Sequence, residues 1–138
     1  MIQFTVLGNP VGKNRPKFST FNGHAVAYTP EKTVNYENLV KLSFQQQCNC
    51  KPYEKDVPLK AVIIAYFPIP KSTSKKNRQK MIDGLIRHTK KPDTDNLIKA
   101  ILDALNGIAF YDDSQVCDII CIKRYGEEPR TEIWIEDV

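Results

Sequence analysis

Residues 59–67 read LKAVIIAYF, and residues 93–107 read DTDNLIKAILDALNG. The two stretches differ in period, and that difference sets the fold class. Leu59 to Phe67 is β-branched and aromatic, with the length of a buried central strand. Pro68 and Pro70 stop it, because proline has no N–H to give to a ladder. In the second stretch Leu97, Ile98, Ile101, Leu102 and Leu105 recur at helical spacing and share one face. Asp93 takes the N-cap position after Pro92, and Asn106-Gly107 closes the helix. Asp95, Lys99 and Asp103 fall at i, i+4 and i+8 on the opposite face.

The flanking segments add further elements. Ile2 to Leu7 alternates weakly and reads as a strand that Gly8-Asn9-Pro10 ends. Val11 to Thr29 is rich in Gly, Pro, Asn and Ser, and reads as a long loop or loose hairpin. Thr29-Pro30 forms an N-cap and first helical position. A helix to about Gln47 follows, with Val34, Leu39, Leu42 and Phe44, together with Tyr36 and Val40, as its apolar positions. A second helix starts at Ser74, with Met81, Leu85 and Ile82 facing inward. Val116 to Arg124 and Thr131 to Ile135 alternate as strands around Gly126-Glu127-Glu128-Pro129 and predict a terminal hairpin. The expected class is α+β, a mixed β-sheet packed with helices in a single small domain over residues 1–138.

Charge is unevenly spread. The 138 residues carry 20 Lys+Arg and 16 Asp+Glu, a net of +4. Lys71 to Lys91 holds eight bases (Lys71, Lys75, Lys76, Arg78, Lys80, Arg87, Lys90, Lys91) and the single acid Asp83, so the rest of the chain is weakly acidic. A concentrated basic stretch suits a polyanion, because neutralised phosphates release condensed counterions; a solvated charged face is the plainer reading. Lys13, Arg15 and Lys17 add cations to the long loop. The absence of a membrane-length apolar run and of a signal-peptide pattern predicts a cytoplasmic protein without a membrane role. Cys48, Cys50, Cys117 and Cys121 do not follow the usual zinc spacing and read as reduced structural thiols.

Acids adjoin this basic stretch. Asp93-Thr94-Asp95 lies where the cations end and the helix begins, and Asp112-Asp113 follows the helix. Asp95 to Asn106 rises about 16 Å as a helix, and Gly107 to Asp113 spans about 23 Å if extended. The chain is therefore long enough to return Asp113 to the helix start. Carboxylates gathered there would repel one another unless a hard cation neutralised them, and Mg²⁺ takes such oxygen ligands together with substrate phosphate. Lys99 is placed to stabilise charge on a phosphoryl transition state. Each part also has a structural reading, as cap, turn or surface ion pair.

The run KPDTDNLIKAILDALNGIAFYDDSQV, Lys91 to Val116, closely resembles the signature of the RusA family of Holliday junction resolvases. The elements GNPVGKNRPKF and AYTPEKTVNYE resemble the family's opening loop and the entry to its first helix. The resemblance implies a small homodimeric endonuclease, of a family often carried by phages and prophages, that nicks opposed strands of four-way junction DNA. It implies Mg²⁺, with Mn²⁺ as a substitute, and no organic cofactor. It puts Asp93, Asp95 and Asp113 at the metal positions and Lys99 at that of the essential lysine. Asn96, Asp103 and Asp112 take supporting positions. Lys13, Arg15, Lys17, Lys75, Lys76, Arg78, Lys80, Arg87, Lys90 and Lys91 are the expected DNA contacts. Alternatives are a nuclease of the same chemistry acting on forks or flaps, and a non-catalytic DNA-structure-binding protein.

Overall fold

A computed structural model describes residues 1–28 and 30–138; Thr29, expected to cap the first helix, lies outside the described residues. The chain forms β1 (Ile2–Leu7), β2 (Lys17–Phe21), β3 (His24–Tyr28), α1 (Glu31–Gln47), β4 (Leu59–Pro68), α2 (Lys75–Ile82) and α3 (Thr94–Leu105). A short 3₁₀ turn (Asp113–Gln115), β5 (Val116–Gly126) and β6 (Arg130–Asp137) complete it. This is an α+β fold with a four-stranded mixed sheet of order β1-β6-β4-β5 and a separate ribbon of β2 and β3.

β4 is central because its sequence allows both edges to be paired. Leu59, Ala61, Ile63, Ala65 and Phe67 are buried, while the alternate residues are half-buried. β4 pairs parallel with β5 and antiparallel with β6, and β6 in turn pairs antiparallel with β1. The expected terminal hairpin is therefore corrected: both strands exist, but β4 lies between them. Non-adjacent strands lie about 10 Å apart, a span that Glu127 to Pro129 can cross. Pro68 helps end β4 below this crossing. Periodicity revealed the strands, but apolar competition for the central position decided their neighbours.

The helices cover one face of the sheet. α3 buries Leu97, Ala100, Ile101, Leu102, Ala104 and Leu105; all but Leu97 join Ile2, Phe4, Val6, Ile63, Ile133 and Ile135 in the main core, while Leu97 packs with Ala65, Phe67 and Tyr125. α1 is less amphipathic and needs polar contacts for its seating. Its buried residues are Thr33, Tyr36, Val40, Ser43 and Phe44, whereas Val34, Leu39 and Leu42 are exposed, contrary to the apolar face read from the sequence. The buried Tyr36 hydroxyl lies 2.8 Å from Thr131 Oγ1 and ties α1 to β6, while Phe44 packs edge-on against Phe4. Pro30 occupies the N-cap position of α1 rather than its first turn.

Ser74 is the N-cap of α2, and its hydroxyl accepts from Asn77 N. Met81 and Ile86 pack beside Phe67, Leu97 and Tyr125, but Leu85, expected to face inward, is exposed. The loop after β1 resolves into a hairpin around Asn22-Gly23. Both turn residues have positive φ, 50° and 78°, which matches the twist of two-residue hairpin turns and which Asn and Gly tolerate.

Candidate active site

The start of α3 and the loop after β1 form one groove. Gly12 explains their close approach: a Cβ there would lie 2.5 Å from Pro92 Cβ and 3.2 Å from Asn96 Cβ. Lys13 N donates to the Asn96 carbonyl at 2.8 Å. The resulting concavity, about 600 Å³, is lined by the loop from Pro10 to Asn14 together with Arg15, Lys32, Lys91, Asp93 and Asn96. Cations thus flank a carboxylate at the helix entry. Lys32 is a groove residue that sequence reasoning missed; only its place in the first turn of α1 marks it.

Asp93 is the N-cap residue of α3, yet its side chain makes no capping hydrogen bond. Among the described residues its carboxylate has no hydrogen-bond partner. Asp95 and Lys99 are both exposed and lie one turn apart on the polar face of α3. Asp103, two turns beyond Asp95, has a different task. It pairs with Lys13 at 2.9 Å, and Lys13 also pairs with Glu37 at 2.9 Å. Burial works to lower the Lys13 pKa, but these hydrogen bonds outweigh it and hold the value above normal. Lys13 therefore joins the loop, α1 and α3, with its charge already neutralised.

Asp112 and Asp113 separate by role. Asp112 caps the 3₁₀ turn, accepting from Ser114 N and from the Ser114 hydroxyl. The Ser114 hydroxyl is the main reason its carboxyl is held below the ordinary value. Gln115 completes this capping box and is buried. Its amide nitrogen donates to the carbonyls of Glu54 and Val57, and its oxygen accepts from Tyr111 N and Asp112 N. The Gln of the signature thus fastens the turn to the loop before β4. Asp113 N donates to Asn106 Oδ1 at 2.8 Å, which holds Asp113 at the C-terminal end of α3.

Asp93 and Asp95 are therefore at one end of α3 and Asp113 at the other. The helix separates Asp95 from Asn106 by about 16 Å. Among the described residues, no three His, Cys, Asp or Glu side chains gather as a metal-holding group. Asp93 and Asp95 suit the common Mg²⁺ arrangement of one or two carboxylates with water and phosphate; the expected third ligand does not join them within one chain. The cysteines are free, and burial pushes the Cys121 thiol up to about 11, away from the thiolate that zinc requires.

The basic segment is partly fastened down. Arg87 Nε donates to the Lys123 carbonyl at 3.0 Å, and Lys123 Nζ donates to the Lys90 carbonyl. His88 stacks on Phe67 with ring centroids 3.8 Å apart and meets Tyr125 edge-on at 5.3 Å. This strap leads through Lys90, Lys91 and Pro92 to Asp93, with a cis Lys91–Pro92 bond. Lys75 and Lys76 are exposed on α2 and Lys80 is half-buried. Arg78 approaches Glu127 at 3.8 Å.

The family model for endodeoxyribonuclease RusA matches residues 8–136, and the chain belongs to that family of nucleases. It is 41% identical over 140 residues to the uncharacterized protein YqaN of Bacillus subtilis strain 168, covering 99% of this chain and 96% of that one. It is 28% identical over 130 residues to the crossover junction endodeoxyribonuclease rusA of Lactococcus phage r1t, covering 94% and 91%.

Proposed function

We propose that this protein is a metal-dependent endodeoxyribonuclease that resolves four-way DNA junctions by paired, symmetric nicks in recombination and repair. The observation that carries the reading is the free Asp93 carboxylate at the mouth of a groove flanked by Arg15, Lys32 and Lys91. Family membership supplies the nuclease class. The groove cations bind and orient the phosphate backbone, which places a phosphodiester beside Asp93 and Asp95. Lys99 offsets negative charge as the phosphate reacts. Asp93 and Asp95 would hold Mg²⁺, or Mn²⁺ in its place, which would supply Lewis-acid polarisation of the phosphate and activation of water. Asn96 supports the site by anchoring the loop through its carbonyl.

A homodimer accounts for both the substrate and the divided acids. Two opposed cuts need two sites related by a two-fold axis. An antiparallel neighbouring α3 would bring the second copy's Asp113 to the first copy's Asp93 and Asp95. The reading is tested with an end-labelled synthetic four-way junction and Mg²⁺. Paired nicks are expected from the native chain, while Asp93→Asn, Asp95→Asn and Asp113→Asn bind without cutting. Full cleavage by all three variants contradicts the assignment, and preferential cutting of forks or flaps moves the activity to those substrates.

A further inference from the structure

The β2–β3 ribbon has no place in the chemistry described above, yet it rises directly from the groove. Arg15, at the groove, lies two residues before β2, and Lys32, also at the groove, follows β3 at the start of α1. All ten ribbon residues are exposed. They include Phe18 at 72%, Phe21 at 68% and Tyr28 at 47% relative exposure. A two-stranded ribbon in water is marginal by itself, and apolar side chains exposed together on one face mark an interaction site. The pairing of Lys17 with Tyr28, Ser19 with Val26 and Phe21 with His24 sets Phe21, Val26 and Tyr28 on one face, beside Lys17 and His24.

Charge distinguishes the partners this face could take. From Asn14 to Tyr28 there is no Asp or Glu, whereas Arg15 and Lys17 are present. An isologous contact with a second copy would bring these cations toward their twins, with no ribbon acid to neutralise them. A nucleic acid supplies both missing complements: phosphates for the cations and base faces for the aromatic rings. The five-residue strands carry the tip about 17 Å along the ribbon, so it reaches bases away from the phosphate held at Asp93.

We propose that the β2–β3 ribbon is a base-stacking arm that engages unpaired bases at a DNA branch point, with Phe21 and Tyr28 as stacking platforms. This rests on the reading of branched DNA as substrate and goes beyond it by assigning recognition of the branch to the ribbon. The arm contributes binding and placement, while the α3 acids remain responsible for cutting.

The test uses a four-way junction with 2-aminopurine at the branch point and a linear duplex carrying the same base. Binding is measured with full-length Asp95→Asn protein, and cleavage with the otherwise native chain. Phe21→Ser and Tyr28→Ser are each expected to weaken junction binding by roughly ten- to a hundredfold, the range for a lost base–aromatic stack. They should abolish the fluorescence change at the branch and leave duplex binding within about twofold, while Phe21→Trp preserves the signal. Both native side chains are exposed, and circular dichroism verifies that the variants fold. Unchanged junction binding, equal losses on duplex, or a change in mass by light scattering overturns the assignment; the last result makes the ribbon a contact between copies. Junction cutting that both serine variants retain at the native rate with subsaturating protein overturns the arm and leaves the nuclease reading intact. Phe21-dependent branch binding without junction cutting does the reverse.

Discussion

Asp112 and Asp113 are adjacent and chemically identical, but their hydrogen bonds give them different expected phenotypes. Asp112 spends its carboxylate on Ser114 and the 3₁₀ turn. Asp113 is held through its backbone, its N–H donating to Asn106 Oδ1 and its carbonyl accepting from Val116 N. Asp112→Ala is expected to lower Tm modestly while retaining measurable cleavage, because it removes a cap. Asp113→Ala should retain Tm and lose cleavage. Thermal unfolding alongside junction cleavage checks both, and the opposite pattern would reverse the two roles. Gly12 depends on space rather than charge. A Cβ at this site would stand 2.5 Å from Pro92 Cβ, so Gly12→Ala must move the loop or the entry to α3. A loss of about 1–3 kcal/mol is expected in urea unfolding, accompanied by reduced kcat because Asp93 follows Pro92.

Two elements meet at the strap between α2 and α3. His88 is stacked on Phe67 and braced by Tyr125. Burial first, then Lys123 and Lys90, hold its pKa below the ordinary 6.5. Arg87, also on the strap, adds a further nearby cation through its bond to Lys123. Protonation is thus easier in the unfolded chain than in the folded one. The stabilisation associated with neutral His88 is complete above about pH 6.5 and is lost as pH falls through the lower folded value. Urea midpoints measured from pH 7.5 down to pH 5 should decline more for the native chain than for His88→Phe, which keeps an aromatic ring but cannot titrate. Equal slopes would remove His88 from the acid response. The strap's basic residues were evident as a charge run, but its attachment to β5 was not, because Lys123 is far in sequence from Arg87 and Lys90 and meets them only in the folded chain.

At the scale of the molecule, the polarity of α3 sets the main requirement. Asp93 and Asp95 stand at its start and Asp113 at its end. If two copies share each site, neither Asp95→Asn nor Asp113→Asn protein should cut alone. A mixture of the two should regain nicking, because one of the mixed dimer's two sites then has all its native acids. That activity should reach at most about half the native level per mixed dimer and produce single nicks rather than paired cuts, following the two-fold logic of the assembly. No recovery after verified subunit exchange would show that the acids act within one chain. The experiment separates cutting from dimerisation, since both parent proteins should have the same mass by light scattering.

Local sequence defines α3 almost to the residue, because caps and apolar period act over a few neighbouring positions. It also defines the strand character of β4, β5 and β6 and the presence of α1 and α2. Long-range packing decided that β4 separates β5 from β6, that Leu39, Leu42 and Leu85 face water, and that Lys13 is occupied by Glu37 and Asp103. It also decided that Asp113 belongs to the far end of α3: loop length established how far the chain could return, whereas Asn106 and the fastening of Gln115 fixed where it stays. Local periodicity specifies elements because its interactions are close in sequence. Strand order and site assembly depend on contacts between distant segments, whose outcome is set by which partners compete best for burial and hydrogen bonds.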